Sequence, residues 1–153
     1  MDSINVRQAQ LSELPILREF EQGIVASERP FDPSLAPDPI SYYDLETLIK
    51  SPDSEVLVAE INDQLIASGY VKIKEAKPYL DHKKYGYVGF MFTRPEYRGQ
   101  GIAGMILSNL VDWTRDQGIN EVRLEVYDAN TSAISAYERS GFTKNLIEMR
   151  KRI

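Results

Sequence analysis

The sequence predicts an α/β domain with a mixed sheet, in the order β-α-α-β-β-β-α-β-α-β, over residues 1–153 as a single domain. Three observations predict it. The middle of the chain reads as successive strands joined by turns, an antiparallel meander. A clean amphipathic helix follows a glycine-rich turn. A strand and a further helix then complete a β-α-β crossover, right-handed and locally parallel.

The elements follow in order. Ile4 to Ala9 alternates and reads as a short first strand. Ser12 offers an N-cap, with Glu13 and Pro15 in the first turn, for a helix carrying Leu14, Leu17 and Ile24 to about Val25. Four prolines, Pro30, Pro33, Pro37 and Pro39, then forbid regular structure. Loops of that length in compact domains are often functional. A second helix is expected from about Tyr42 to Lys50. Val56 to Ile61 and Leu65 to Glu75 read as a hairpin around Asn62-Asp63-Gln64, and Tyr85 to Thr93 as the next strand. The amphipathic helix starts at Gly101 and ends at Gly118, with Ile102, Ile106, Leu107, Leu110, Val111 and Trp113 as its apolar positions. Glu121 to Tyr127 is a strand, Asn130 or Thr131 opens a last helix, and Phe142 to Ile153 supplies one or two short final strands.

Composition excludes several classes. The chain has 153 residues, enough for a core without staples. It has no cysteine, so disulfides, thiolate metal sites and acyl-cysteine catalysis are ruled out. The single histidine, His82, reads as a solvated loop residue, which leaves no multi-His metal site or His-based triad. No metal is expected. A net charge of −5 argues against nucleic acid, whose phosphates are held by clustered Lys and Arg, and suits a cationic partner or simple solubility. No apolar run approaches a membrane span, and Met1 to Ile4 lacks a basic leader, so the expected location is cytoplasmic with no membrane partner.

The most informative stretch is Arg98-Gly99-Gln100-Gly101-Ile102-Ala103-Gly104, at the start of the strong helix. Glycines let a backbone approach a ligand closely. The first-turn N–H groups have no intrahelical partners, and the helix dipole adds partial positive charge. Together they suit a pyrophosphate, and Arg98 can add a charge-assisted bond. The alternative is a tight turn with no ligand. Gly99, Gly101 and Gly104 also spell a dinucleotide fingerprint, with Glu125 about twenty residues on. That reading fails: Arg94 to Arg98 separates the motif from its strand, several strands precede it, and too little chain remains for a dinucleotide domain.

With the downstream Leu124-Glu125-Val126-Tyr127-Asp128-Ala129-Asn130 and Tyr137 to Phe142, this turn resembles the GNAT superfamily of N-acetyltransferases. Arg98, Gly101 and Ala103 match the family's glycine motif, and Asn130, Tyr137, Gly141 and Phe142 match its second motif in order and spacing. The motifs cover about Tyr87 to Phe142, and the element order covers nearly the whole chain.

The resemblance implies acetyl-CoA as co-substrate and an amine acceptor, with the chain acting as monomer or homodimer. It implies that the pyrophosphate sits on the N–H groups of Gly99, Gln100, Gly101, Ile102, Ala103 and Gly104. The pantetheine would pair with the strand edge at Phe90, Met91 and Phe92, where a bulge splays two strands. Asn130 would hold the pantetheine or diphosphate, and Tyr137 would lie near the CoA sulfur. Glu125 matches the Glu of Leu-Glu-Val in bacterial enzymes that acetylate the N-terminus of a ribosomal protein, where it is the base.

The chemistry has its own demands. An attacking amine must lose a proton, the tetrahedral oxygen wants an N–H donor, and the leaving thiolate wants a proton. An amide near Met91 suits the second role and the Tyr137 phenol the third, although Tyr137 also reads as packing beside Ile134. Glu125 is either the base or the partner of a cross-strand cation, or simply exposed; Tyr85 or Tyr87 with a water chain is the fallback. Glu28, Asp32, Asp38 and Asp44, with Tyr42 and Tyr43, line the proline-rich segment and suit a cationic amine or a solvated loop. The contrasting functional class is a non-catalytic acyl-CoA-binding sensor.

Overall fold

The computed structural model describes residues 3–153. Met1 and Asp2, where the reading of a missing leader begins, lie outside them. Strands β1 (Asn5–Gln8), β2 (Ser54–Ile61), β3 (Gln64–Glu75) and β4 (Lys84–Thr93) pair antiparallel in that order. Strand β5 (Val122–Arg123) pairs parallel with β4, giving a five-stranded mixed sheet. The helices are α1 (Leu14–Glu28), α2 (Leu45–Lys50), α3 (Ile102–Asp116) and α4 (Thr131–Arg139).

Successive strand side chains point to opposite faces, so a sheet covered on both sides needs apolar residues at both parities. Strand β2 meets that need. Val56 and Val58 pack with Leu17, Phe20 and Ile24 of α1, Leu45 of α2, and Tyr70 and Phe90. Leu57 and Ala59 pack with Ile102, Ile106 and Leu110 of α3 and with Val71 and Val88. Asn62 and Asp63 adopt positive φ (49° and 63°), the left-handed pair of a two-residue hairpin turn.

Several sequence expectations need correction. Ser12 does not cap α1. A 3-10 turn at Leu11–Glu13 precedes the helix, and Glu13 accepts from the Gln10 N–H at 2.8 Å while Arg7 pairs with it at 2.6 Å. The helix itself runs past Val25 to Glu28. Strand β5 is two residues long instead of Glu121 to Tyr127, because only Gly86–Val122 and Tyr87–Arg123 are in register before β4 bends. Residues 142–153 form no strand, with so short a β5 offering little edge to join; Leu146, Ile147 and Met149 in this tail are exposed. His82 is half-buried, its ring nitrogens 2.8 Å from Asp81 and Glu121, with Arg123 also at 2.8 Å. No helix among the described residues is long and apolar enough to cross a membrane.

Candidate active site

The glycine turn is built by backbone conformation. After a 3-10 turn at Pro95–Tyr97, Gly99 and Gly101 adopt φ of +78° and +80°, which L side chains rarely take. A Cβ at either position would meet nothing within 4 Å, so glycine is required there by dihedral angle and the space beside the turn is open. Gly101 is the N-cap of α3, and the first helical hydrogen bond runs from the Met105 N–H to the Gly101 carbonyl at 3.1 Å. The N–H groups of Ile102, Ala103 and Gly104 come before that bond and face outward from the helix end. Ile102 is buried and holds this end against the sheet. The Gln100 amide reaches the Glu96 carbonyl at 3.5 Å. The exposed Arg98 donates through Nε to the Thr93 carbonyl at 3.0 Å, its guanidinium 6.0 Å from the Phe92 ring. A cleft of about 270 Å³ continues from Gly104 along α3 past Leu107 and Ser108 to Ser140 and Phe142.

The expected bulge is present in β4. Phe90 has φ +57°, and the β3–β4 register shifts between Ser68–Phe92 and Tyr70–Gly89. A non-glycine residue in this region costs about 1–2 kcal/mol. Its surroundings hold it there: the buried Ser68 hydroxyl donates to the Phe90 carbonyl at 3.0 Å, and the buried Phe90 ring packs 5.5 Å from that of Tyr43. Gly69, opposite the bulge, leaves room for Met91; a Cβ there would come 2.7 Å from the Met91 sulfur. Phe92 packs 4.8 Å from Phe20. Past Tyr87, β4 has no partner on the β5 side, so its edge opens next to the glycine turn.

Asn130 and Tyr137 belong to α4, which follows β5. Asn130 is the N-cap of α4, its Oδ1 accepting from the Ala133 N–H at 3.2 Å, which leaves the Nδ2 donor for other partners. Tyr137 packs edge-on to Phe142 at 6.0 Å and sits on the α3 side of the core, so packing is part of its role. Burial pushes its phenol above the ordinary value, and the charge of Glu28 adds to that.

Glu125 is not the mid-strand carboxylate the sequence suggests. It follows the end of β5 and is exposed. Tyrosines surround it: burial raises Tyr87, with Glu125 the next cause, and Tyr70 is pushed to about 12 by burial and then by Glu125. Tyr85 lies under the Arg123 guanidinium at 4.0 Å.

A second carboxylate stands out among the four acidic side chains of the proline-rich segment. Glu28 ends α1, half-buried, and burial raises its carboxyl above the usual range, helped by Asp32. Its charge is felt by Tyr42, Tyr43, Tyr127 and Tyr137, which come from three parts of the chain. The Tyr42 hydroxyl is buried with no partner in normal hydrogen-bond geometry, although Glu28 is near enough to perturb it. A signal was available in the sequence: Glu21 and Glu28 fall on the apolar stripe of Leu17, Phe20, Ile24 and Val25, where carboxylates are rare. Glu21, fully buried, accepts the N–H groups of Tyr42 and Tyr43 at 2.7 and 2.8 Å and so fixes the loop that carries them.

The remaining loop contacts tie distant segments together. Asp32 accepts from Tyr127 at 2.8 Å and from Arg150 at 2.9 Å, and also binds Ser34. Phe31 stacks on Tyr127 with ring centroids 6.2 Å apart. Among the described residues no group of three or more His, Asp or Glu side chains is placed to hold a metal ion.

Solved structures share this fold. An acetyltransferase structure from Clostridium acetobutylicum, described as a predicted acetyltransferase with acetyl-CoA, superposes with a TM-score of 0.76 at 21% identity, over 97% of this chain and 96% of that one. N-alpha-acetyltransferase 30 of Schizosaccharomyces pombe is 39% identical over 59 residues, 39% of each chain. Thialysine N-epsilon-acetyltransferase of Sus scrofa is 36% identical over 55 residues, 36% of this chain and 32% of that one. The matched segment thus spans well under half the length of these curated relatives. The model of the Acetyltransferase (GNAT) family, by contrast, matches residues 21–142, from the buried carboxylate of α1 to the aromatic residue beside Tyr137, and the chain belongs to that family.

Proposed function

We propose that this chain, as one catalytic domain, transfers an acetyl group from acetyl-CoA to a primary amine by direct attack in a ternary complex. The observation that carries the reading is the pair of left-handed glycines, Gly99 and Gly101, opening onto free space at the start of α3 beside the bulged, unpaired edge of β4. Backbone N–H groups at a helix start suit a pyrophosphate, and an unpaired strand edge suits the amides of a pantetheine arm. Gly99, Gln100, Gly101, Ile102, Ala103 and Gly104 would take the first, with Arg98 at the rim. Phe90, Met91 and Phe92 would take the second through their backbone, and Asn130 would add its Nδ2 donor.

In this reading the Tyr137 phenol protonates the departing thiolate. Burial holds it in the protonated form that the role needs. The amine proton leaves by a carboxylate: Glu125 beside Tyr87 on one side of the opening, or Glu28 on the other. The relatives' names specify an alpha nitrogen in one case and an epsilon nitrogen in the other, both primary amines. The Leu-Glu-Val likeness to the ribosomal-protein enzymes adds a protein N-terminus to the acceptors worth assaying.

Calorimetric titration with acetyl-CoA, with NADH as control, tests the cofactor half. Saturable acetyl-CoA binding in the micromolar range with silent NADH is expected. Silence toward acetyl-CoA overturns the reading, and NADH binding would restore the dinucleotide interpretation of the glycine turn.

A further inference from the structure

We propose that Glu28 receives the acceptor amine and takes its proton, and that the acceptor is a primary amine with a single positive charge on an apolar or aromatic body. The inference rests on the acetyltransferase reading and adds a residue and a substrate class to it.

The argument begins with charge. The proline-rich segment and its flanks carry four acidic side chains that sequence alone cannot rank: Glu28, Asp32, Asp38 and Asp44. The structure engages three of them. Asp32 is held by Ser34, Tyr127 and Arg150. Asp38 pairs with Arg29 at 2.6 Å. Asp44 caps α2, accepting from the Thr47 N–H at 3.2 Å and its hydroxyl at 2.8 Å. Glu28 makes no ion pair among the described residues, and it is half-buried. A half-buried carboxylate without a counterion favours a ligand that brings one.

Position gives the second strand of the argument. Helix α1 covers one face of the sheet, and Tyr137 belongs to the core of the other. The end of α1 nevertheless reaches the start of α4 past the end of β5: the Phe31 N–H donates to the Glu28 carbonyl at 2.9 Å, the Phe31 ring stacks on Tyr127, and the Tyr127 carbonyl accepts from the N–H of Asn130, the α4 N-cap, at 2.9 Å, so that Tyr137 on α4 feels the Glu28 charge. An amine held at Glu28 therefore approaches the proposed thioester site from the side opposite the cofactor. The walls are aromatic: Phe31 stacked on Tyr127, with Tyr42 and Tyr137. The buried Tyr42 hydroxyl is close enough to Glu28 to hydrogen-bond the carboxylate or an amine bound to it. One free charge among tyrosines fits one ammonium better than a polycation.

The proton accounting closes. The ammonium gives one proton to Glu28, and the neutral nitrogen forms the C–N bond at the thioester carbon. Collapse breaks the C–S bond; the second nitrogen proton replaces the one Tyr137 delivers to sulfur, and Glu28 returns its proton to solvent. The groups facing Glu28 are Asp32 on its own loop, Tyr42 and Tyr43 before α2, Tyr127 after β5 and Tyr137 on α4. The two cations near this set are both paired, Arg29 with Asp38 and Arg150 with Asp32.

The test uses phenethylamine as acceptor probe, putrescine as the dicationic comparison and release of CoA thiol as readout, which the cysteine-free chain does not obscure. Phenethylamine is expected to support saturable release with the higher kcat/KM. Glu28→Gln should lower that value at least about 100-fold, the scale of losing a general base, with acetyl-CoA affinity by calorimetry unchanged. Glu28→Asp should fall between the two. The ascending limb of the wild-type pH profile should have its midpoint above the ordinary carboxylate range and should vanish in Glu28→Gln. A Glu28→Gln rate within about threefold of wild type overturns the role of Glu28. Acetyl-CoA binding with no release by phenethylamine overturns the substrate class. A wild-type chain that binds no acetyl-CoA overturns the acetyltransferase reading itself, a failure the titration separates from the other two.

Discussion

The two sides of the opening in the sheet are made in different ways. On the cofactor side, the glycine turn and the start of α3 lie within Arg98 to Met105, and the hydrogen bonds that shape them are local, with buried Ile102 anchoring the helix start to the sheet. On the acceptor side, Glu28, Asp32, Tyr127, Tyr137 and Arg150 come from segments more than a hundred residues apart in the extreme case of Asp32 and Arg150. A local site depends on the backbone conformation of a few residues. A dispersed one depends on side-chain contacts between loops, each replaceable at small cost. The cofactor side should therefore lose acetyl-CoA binding abruptly on substitution, and the loop contacts of the acceptor side, the proposed base Glu28 apart, should fail by degrees.

The largest effect is expected at Gly101. A valine there must hold φ near +80°, costing about 1–2 kcal/mol or more for a β-branched residue, and its side chain would stand in the open space beside the turn. Gly101→Val should weaken acetyl-CoA binding at least about 100-fold by calorimetry, the loss of roughly 2.7 kcal/mol of contacts with the turn. Near-normal affinity would mean that the anion does not sit on this turn, and the contrast between the two sides would lose its basis.

That difference also explains what was legible in the sequence. The meander, the amphipathic α3 and the glycines at 99 and 101 could be read because periodicity and φ preference are local properties. The bulge at Phe90 was expected only by resemblance; its physical cause, the Ser68 hydroxyl on the Phe90 carbonyl from a neighbouring strand, has no local signature. Glu125 was misplaced because the apolar neighbours Leu124 and Val126 suggest a strand, whereas parallel pairing stops at Arg123 once β4 bends. Residues 142–153 were expected as strand for the same reason and lack an edge to pair with. Glu28 could not be ranked above Asp32, Asp38 and Asp44 from the sequence, because what those three are bound to is visible only in three dimensions.

An intermediate effect is expected at Tyr137, which touches both sides. Tyr137→Phe keeps the ring against Phe142 and removes only the hydroxyl. Turnover should fall at least about 10-fold while acetyl-CoA affinity stays within about twofold, the pattern of a lost proton donor rather than a lost binding contact. The sign of the pH dependence follows from its raised phenol. A general acid is active while protonated, so any descending limb due to Tyr137 lies above the ordinary phenol value of about 10 and should be absent in the phenylalanine variant. Unchanged turnover would leave Tyr137 as a packing residue and favour the non-catalytic sensor.

The smallest effect is expected at the Asp32–Arg150 contact, and it sharpens the comparison most. Arg150 is largely exposed, and exposed ion pairs contribute little. Asp32 keeps Tyr127 and Ser34 when Arg150 is lost, so the loop should loosen without unfolding. Arg150→Ala should raise the KM for an amine acceptor about threefold, with kcat and acetyl-CoA affinity unchanged. The bonds from Ser34, then from Arg150 and Tyr127, hold the Asp32 carboxyl well below its usual range. A group with a depressed folded value contributes while ionised and loses that contribution only as pH falls through the depressed value. The tether should accordingly persist across the neutral and mildly acidic range. A KM difference between wild type and Arg150→Ala that stays constant from about pH 6 to 8 is the expected result, since neither partner titrates there. A difference that grows or vanishes over that interval would assign the contact's influence to another ionising group, with Glu28 and its raised carboxyl the nearest one.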